Sequence, residues 1–239
     1  MKTVIPMLGV DENEFGKYGK FLQASNGVSL VECVLENLKK WCDDFVFVIS
    51  EMDKKRHLDS VLSLLCPGCE IVVAKGETNG ALCSVLLASE HFGNDELLVA
   101  NGDQIVDFNG KIWLNNMREN DFDAGTVIFD SIHPRWSSVR LDDNGFVIEA
   151  SEKKPISSHA TAGLYWFANS LEFFQRASAL IVNGDDVEGS FFVCPVLNEY
   201  ILDGYNVNAF EIERGQYTSL STTEDFELFR HNQTKDSFQ

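Results

Sequence analysis

The segment LLVANGDQ, Leu97 to Gln104, decides the fold. Four residues without a polar break, Leu97 to Ala100, read as a strand buried on both faces, as in a parallel sheet. A small-residue turn follows and carries a carboxylate, Asp103. In open α/β sheets ligands bind beyond the carboxyl ends of the strands, so Asp103 stands where a ligand would stand. A carboxylate there suits Mg²⁺, a hard cation that prefers oxygen and often shares it with substrate phosphates. The same residue would also serve as a turn former or a helix cap.

Working outward from this strand, the pattern repeats upstream. Val4–Met7, Phe45–Ile49 and Ile71–Ala74 read as further buried strands. Between them, Leu30, Val34, Leu35 and Leu38 keep helical spacing behind a Ser29/Glu32 capping box. Asp53–Leu65 reads as a helix stopped by Pro67-Gly68, and Ala81–His91 as another. Alternation of this kind predicts a mostly parallel sheet with right-handed crossovers. Downstream the texture changes to short strands at Gly125–Asp130, Ser137–Leu141 and Phe146–Ala150, the last two joined by the turn Asp142-Asp143-Asn144-Gly145. Ala162–Phe167 is a strand, Leu171–Ile181 and Val196–Leu202 are helices, and Val207–Ile212 closes the sheet. A last short helix and a polar tail follow Asp225. No repeat or linker interrupts the chain. It reads as one domain over 1–239, with a first half 1–105, a second half 106–225 and a tail 226–239.

The 239 residues carry 19 basic and 37 acidic side chains, a formal charge of −18. Such a surface repels nucleic acid and anionic membranes, so neither is an expected partner, although a local basic pocket could hold a small phosphorylated ligand. Met1–Val10 lacks the apolar core and cleavage site of a secretory signal. No apolar run approaches the roughly 20 residues that span a bilayer. A cytoplasmic protein is expected. Cys66-Pro-Gly-Cys69 has C-x-x-C spacing, but it ends a helix and has no second pair, which argues against zinc or redox chemistry. The five histidines show no metal spacing. G-x-S-x-G, G-x-G-x-x-G and the P-loop pattern are all absent. No interface stripe stands out, so a homo-oligomer stays open.

Two further stretches carry chemistry. Gly76-Glu77-Thr78-Asn79-Gly80-Ala81 precedes a helix, where small residues let a base or phosphate approach backbone amides; an ordinary loop and cap would read the same. Glu152-Lys153-Lys154-Pro155 follows a strand, and lysine suits phosphate as a point charge, while a lysine pair also suits plain solvated surface.

Taken in order, these pieces resemble the sugar-1-phosphate nucleotidyltransferases, and most closely their capsule- and lipopolysaccharide-associated branch. The likeness runs from Val4 to Asp225. It is carried by IPMLG at Ile5–Gly9, KFLQASNG at Lys20–Gly27, TNGALCSVLLA at Thr78–Ala88, ANGDQ at Ala100–Gln104, EKKPISSHATAGLY at Glu152–Tyr165, FVCPVLNEYI at Phe192–Ile201 and STTED at Ser221–Asp225. The resemblance implies a nucleotide-diphospho-sugar transferase-like (GT-A-like) α/β/α sandwich with a mixed, mostly parallel sheet. It implies an enzyme that joins a nucleoside triphosphate to a sugar phosphate or similar phosphorylated metabolite, releasing pyrophosphate for surface polysaccharide synthesis. It gives Asp103 to Mg²⁺ and Lys20 to phosphate charge. Leu8, Gly9, Lys20, Thr78, Asn79, Gly80, Asn101 and Gly102 would border the nucleotide. Glu152, Lys153 or Lys154, and Gly163 would meet the sugar phosphate.

The chain departs from the family in its first loop. Where relatives carry glycine, serine and arginine, it carries Asp11, Glu12 and Asn13, followed by Glu14. The arginine fork that could clamp a triphosphate is missing. A carboxylate about 4 Å from a phosphate charge costs on the order of 4 kcal/mol at an effective dielectric of 20. Three readings follow. Asp11, Glu12 or Glu14 hold an extra metal; the loop turns outward and leaves Lys17 or Lys20 to take the phosphates; or the scaffold no longer transfers nucleotides and only binds a sugar nucleotide or a partner. Retention of Lys20, Asp103 and the EKKP segment favours an enzyme. A glycosyltransferase of related fold ranks lowest, because Asn101-Gly102-Asp103-Gln104 lacks a D-x-D pair.

Overall fold

The computed structural model describes residues 1–8 and 18–236. The acidic stretch from Asp11 to Glu14, with Gly9 and Lys17, lies outside the described residues. Strand β1 (Lys2–Pro6) leads through a small hairpin, β2 (Ala24–Ser25) and β3 (Val28–Ser29), to helix α1 (Leu30–Leu38). There follow β4 (Phe45–Ser50), α2 (Glu51–Lys55), α3 (Leu58–Leu65), β5 (Glu70–Ala74), α4 (Ala81–Leu86), β6 (Leu97–Ala100), β7 (Gln104–Val106) and α5 (Gly110–Glu119). The second half comprises β8 (Ala124–Asp130), β9 (Ser138–Leu141), β10 (Val147–Ser151), β11 (His159–Phe167), α6 (Ser170–Asn183), α7 (Val196–Leu202), β12 (Val207–Glu211), β13 (Tyr217–Ser219) and α8 (Thr223–Asp236).

The fold is α/β, a central mixed sheet with helices on both faces. Strand alternation sorts the side chains. Phe45, Phe47 and Ile49 of β4 face a cluster built with α1, α3, α5 and α8. Val46 and Val48 face the opposite cluster, built with α4, α6 and α7. Each such fully buried side chain contributes about 1.5–3 kcal/mol of transfer free energy, which is why β4 has no polar residue before Ser50. The parallel half runs β5-β4-β1-β6.

Strand β11 joins the halves and forks them. One edge pairs with β8 along its length, and β12 lies beyond β8. The other edge pairs with β9 through His159 and Ala160, then with β6 through Leu164–Phe167. Between the two, the register against β8 shifts between Thr161 and Tyr165, a bulge that bends the strand where its neighbours part.

Three local findings differ from the sequence reading. The helix expected over Asp53–Leu65 is two helices, because His57 takes φ 65° between α2 and α3. The helix expected over Ala81–His91 ends at Leu86 and resumes as a 3₁₀ turn at Ser89–His91. Helix α5 and the β7–β13 pair were not anticipated. The latter holds Gln104 opposite Ser219. Among the described residues no helix is long and apolar enough to cross a membrane.

Candidate active site

A cavity of about 450 Å³ opens at the fork of β11, beyond the carboxyl ends of β1, β6 and β10. Its floor is the turn after β6, Asn101 to Asp103. One wall carries Lys20 and Phe21. The other carries Arg135, Trp136, Ser137 and Glu152, and the end is closed by Phe192, Tyr217, Ser219 and Ser221. Among the described residues, four lining side chains are charged, two of each sign: Lys20 and Arg135 against Asp103 and Glu152. Their sum is zero on a chain of −18. The described lining therefore opposes an anion less than the chain's bulk charge implies.

The Lys20 ammonium donates to Asp103 Oδ2 at 2.6 Å, with the lysine side chain 8% exposed and the aspartate 31%. The pair joins the loop after β1 to the end of β6, two neighbouring parallel strands. Gly102 gives the room: a Cβ there would sit 3.2 Å from Phe21 Cε1 and 3.1 Å from Ile5 Cγ2. Across the cavity, Ser137 Oγ donates to Glu152 Oε2 at 2.5 Å. Burial raises the Glu152 pKa, and the Ser137 bond and the Lys153 charge oppose the shift without cancelling it. Arg135 lies over Trp136, its guanidinium carbon 4.0 Å from the ring centroid. Gln104 donates from Nε2 to the Ala162 carbonyl at 2.5 Å, and its buried Oε1 has no hydrogen-bond partner among the described residues.

Comparison with solved structures follows from this geometry. The chain is similar to a nucleoside-diphosphate-sugar pyrophosphorylase from Vibrio cholerae RC9, with TM-score 0.81 and 21% identity over 95% of this chain and 98% of that one. It is also similar to the inositol-1-phosphate CTP transferase from T. maritima, with TM-score 0.74 and 16% identity over 94% of this chain and 90% of the other. The fold is nucleotidyltransferase-like. No family model matches the sequence, and no curated protein matches it.

Within this nucleotidyltransferase-like frame, the residues singled out by sequence fall into two groups. Leu8, Lys20, Asn101, Gly102, Asp103, Glu152 and Gly163 all line the cavity. Thr78, Asn79 and Gly80 do not; only Ala81 of that segment does. Gly80 has φ 100°, and a Cβ on it would lie 2.2 Å from the Phe191 carbonyl oxygen. Phe191 N donates to Asn79 O at 2.8 Å and Leu82 N to Phe191 O at 3.1 Å. Thr78 Oγ1 bonds Ser84 Oγ at 2.7 Å. The glycine thus admits the chain's own backbone. Gly163, at φ 62°, makes room for Asn101 Nδ2 and Gln104 Oε1, 2.3 and 2.6 Å from where a Cβ would stand.

Lys153 and Lys154 also lie outside the cavity lining. Lys153 pairs with Glu188 at 3.0 Å and sits 5.2 Å from the Phe192 ring centroid. Sequence reasoning missed Arg135, Trp136, Ser137, Tyr217 and the two serines. The only signal for the first three was a cation beside an aromatic in the loop HPRWSS. Oxygen donors fit Mg²⁺ in part. Asp103, Asn101, Ser219 and Ser221 share one cavity, and a single carboxylate suffices where substrate phosphates complete the shell. Among the described residues no three His, Cys, Asp or Glu side chains gather to hold a metal by themselves.

Proposed function

We propose that this chain is a nucleotidyltransferase that joins a nucleoside triphosphate to a sugar phosphate or similar phosphorylated metabolite. The observation that carries the reading is the Lys20–Asp103 pair at 2.6 Å on the floor of the forked cavity, facing Glu152 across it. The nucleotidyltransferase-like fold supports it. In the reaction, an oxygen of the acceptor phosphate attacks the α-phosphorus in line, the bond from that phosphorus to the β-phosphate oxygen breaks, and pyrophosphate leaves with the electron pair. The protein's share is positioning and charge neutralisation. Lys20 meets triphosphate oxygens. Arg135 meets the acceptor phosphate, since it lines the cavity and the two lysines do not. Glu152, largely withdrawn from water, accepts from or donates to acceptor hydroxyls. Asp103, with Ser219 and Ser221 near it, would hold Mg²⁺, which when bound screens charge on the phosphates. The sequence likeness supports a place in surface polysaccharide synthesis in the cytoplasm.

The test is pyrophosphate release with Mg²⁺ across the four NTPs and dTTP against a panel of sugar and small-metabolite phosphates. One productive pair is expected. Silence across the panel, with no thermal shift from any nucleotide, would leave a non-catalytic relative that binds a partner.

A further inference from the structure

We propose that Cys66 and Cys69 form a reversible disulfide across the Pro67-Gly68 turn, which makes this turn a modification site for low-molecular-weight disulfides. The site is independent of the nucleotidyltransferase reading. It lies between the end of α3 and the start of β5, whereas the cavity opens beyond the carboxyl ends of β1, β6 and β10. All six cysteines are free thiols. These two are three residues apart, and every other neighbouring pair is nine or more apart.

The backbone brings the two residues together. Cys69 N donates to Cys66 O at 3.0 Å, which closes a four-residue turn, and Gly68 takes φ 90°. Proline at the second position and a left-handed glycine at the third make a type II turn. The Cα atoms at the ends of such a turn lie within about 7 Å, and a disulfide asks for about 4.4–6.8 Å. Pro67 has its φ fixed beforehand, so little freedom is lost when the ring closes.

Exposure orders the two thiols. Cys66 is 6% exposed and belongs to the core cluster, while Cys69 is half-buried. An incoming disulfide therefore meets Cys69 first. The Cys69 thiolate attacks one sulfur of glutathione disulfide, forming a protein–glutathione bond and releasing one glutathione thiolate. The Cys66 thiolate then attacks the Cys69 sulfur, forming the Cys66–Cys69 bond and releasing the second glutathione thiolate. The two electrons lost by the protein reduce glutathione disulfide, and the two thiol protons pass to the released glutathiones. Excess glutathione reverses both steps.

The helix end sets the rate. Thiolates are stabilised at helix N-termini, but Cys66 follows the C-terminus of α3. Burial raises the Cys66 thiol. Lys39, whose ammonium donates to the Leu65 carbonyl at 2.9 Å, opposes the shift without cancelling it, and Asp44 adds to it. Burial also raises Cys69, and the neighbouring Cys66 adds to that. The helix-end position that argues against a catalytic dithiol thus leaves a pair that receives disulfides slowly.

The experiment incubates the full chain with glutathione disulfide, quenches with acid, alkylates the remaining thiols under denaturing conditions and reads the tryptic peptide His57–Lys75 by mass. That peptide holds Cys66 and Cys69 and no other cysteine. It is expected two hydrogens lighter and unalkylated, with Cys33, Cys42, Cys83 and Cys194 alkylated, and excess glutathione should restore it. Cys66→Ser should stop at a glutathione adduct on Cys69. Cys69→Ser should leave Cys66 reacting at least tenfold more slowly than Cys69 does in the unaltered chain. Because both thiols are raised, the disulfide should form at least tenfold faster at about pH 9 than at about pH 7. A peptide that stays reduced at both pH values, an unaltered chain that stops at the adduct, or equal rates at the two pH values overturns the proposal. Pyrophosphate release judges the transfer reading separately, so either can fail alone.

Discussion

The two walls of the cavity were built by different means. On the side with Lys20 and Asp103, Asp103 stands just past the end of β6, which neighbours β1 in the parallel sheet, and Lys20 comes from the loop after β1. Parallel topology puts the carboxyl ends of β1 and β6 on one side, and there the turn carrying Asp103 meets the loop carrying Lys20, 83 residues apart in sequence. The wall with Glu152 and Arg135 belongs to the antiparallel part. There the lining depends on a bulge in β11, a left-handed residue at Lys153 (φ 53°), and a loop between β8 and β9. The lesson is that strand ends can be assigned from sequence, whereas a wall made of bulges and loops cannot.

The largest test of this contrast is Asp103→Asn, which keeps an acceptor for Lys20 and removes the charge. It should lower kcat by about 10²- to 10³-fold, in line with loss of one electrostatic stabiliser, while the melting curve stays cooperative. Turnover within a few-fold of the parent would remove the strand-end wall from the chemistry. Next come the two glycines. Gly80→Ala forces a methyl against the Phe191 backbone at an unfavourable φ and should cost about 2–4 kcal/mol in urea unfolding. Gly163→Ala meets only side-chain amides that can swing aside. It should cost about 1–2 kcal/mol for the left-handed backbone and raise KM as Asn101 and Gln104 are pushed into the cavity. Equal stability losses would break the distinction between a glycine that admits backbone and one that shapes the site.

A smaller effect separates the cations of the second wall. Arg135→Ala should raise the acceptor KM about tenfold, near 1.4 kcal/mol. Lys153→Ala should change it by less than about twofold, since its exposed pair with Glu188 is of the kind that contributes little. The reverse order would return the acceptor phosphate to the lysines.

The smallest expected effect is in pH. Because burial raises Glu152 in the folded state, the folded protein keeps a proton that the unfolded chain has already lost. Stability from this group is therefore greatest below the ordinary glutamate pKa and falls as pH rises towards the folded value. Melting temperatures followed from about pH 4 to about pH 8 should show Glu152→Gln gaining on the parent as pH rises. Parallel curves would mean that Glu152 is better solvated than its position implies.

Much of the frame was legible because burial on both faces leaves a clear mark. Leu97–Ala100 and Phe45–Ile49 carry no polar residue and are strands. The Ser29/Glu32 capping box forms as read. Helix α5 was missed although Trp113, Leu114 and Met117 are buried at helical spacing; its first residue, Gly110, is a poor helix former. That glycine is there for Trp41, whose ring lies 2.2 Å from where a Cβ would be. The break at His57 was illegible for a related reason: a left-handed histidine has no sequence mark of its own.

What the sequence determined by itself is the layered α/β frame and the placing of Asp103 at a strand end, since buried strands must be apolar and parallel strands must end together; Lys20 entered through the family resemblance. What only the tertiary structure decided is which nearby groups share their cavity. Asn79 and Gly80 turned to the Phe191 backbone and Thr78 to the Ser84 hydroxyl, the lysine pair turned outward, and Arg135 turned in. The physical reason is that local residue types record burial and turn geometry. Which side chains face one cavity depends on the register of β11 against β6, β8 and β9, a long-range property that no short stretch encodes.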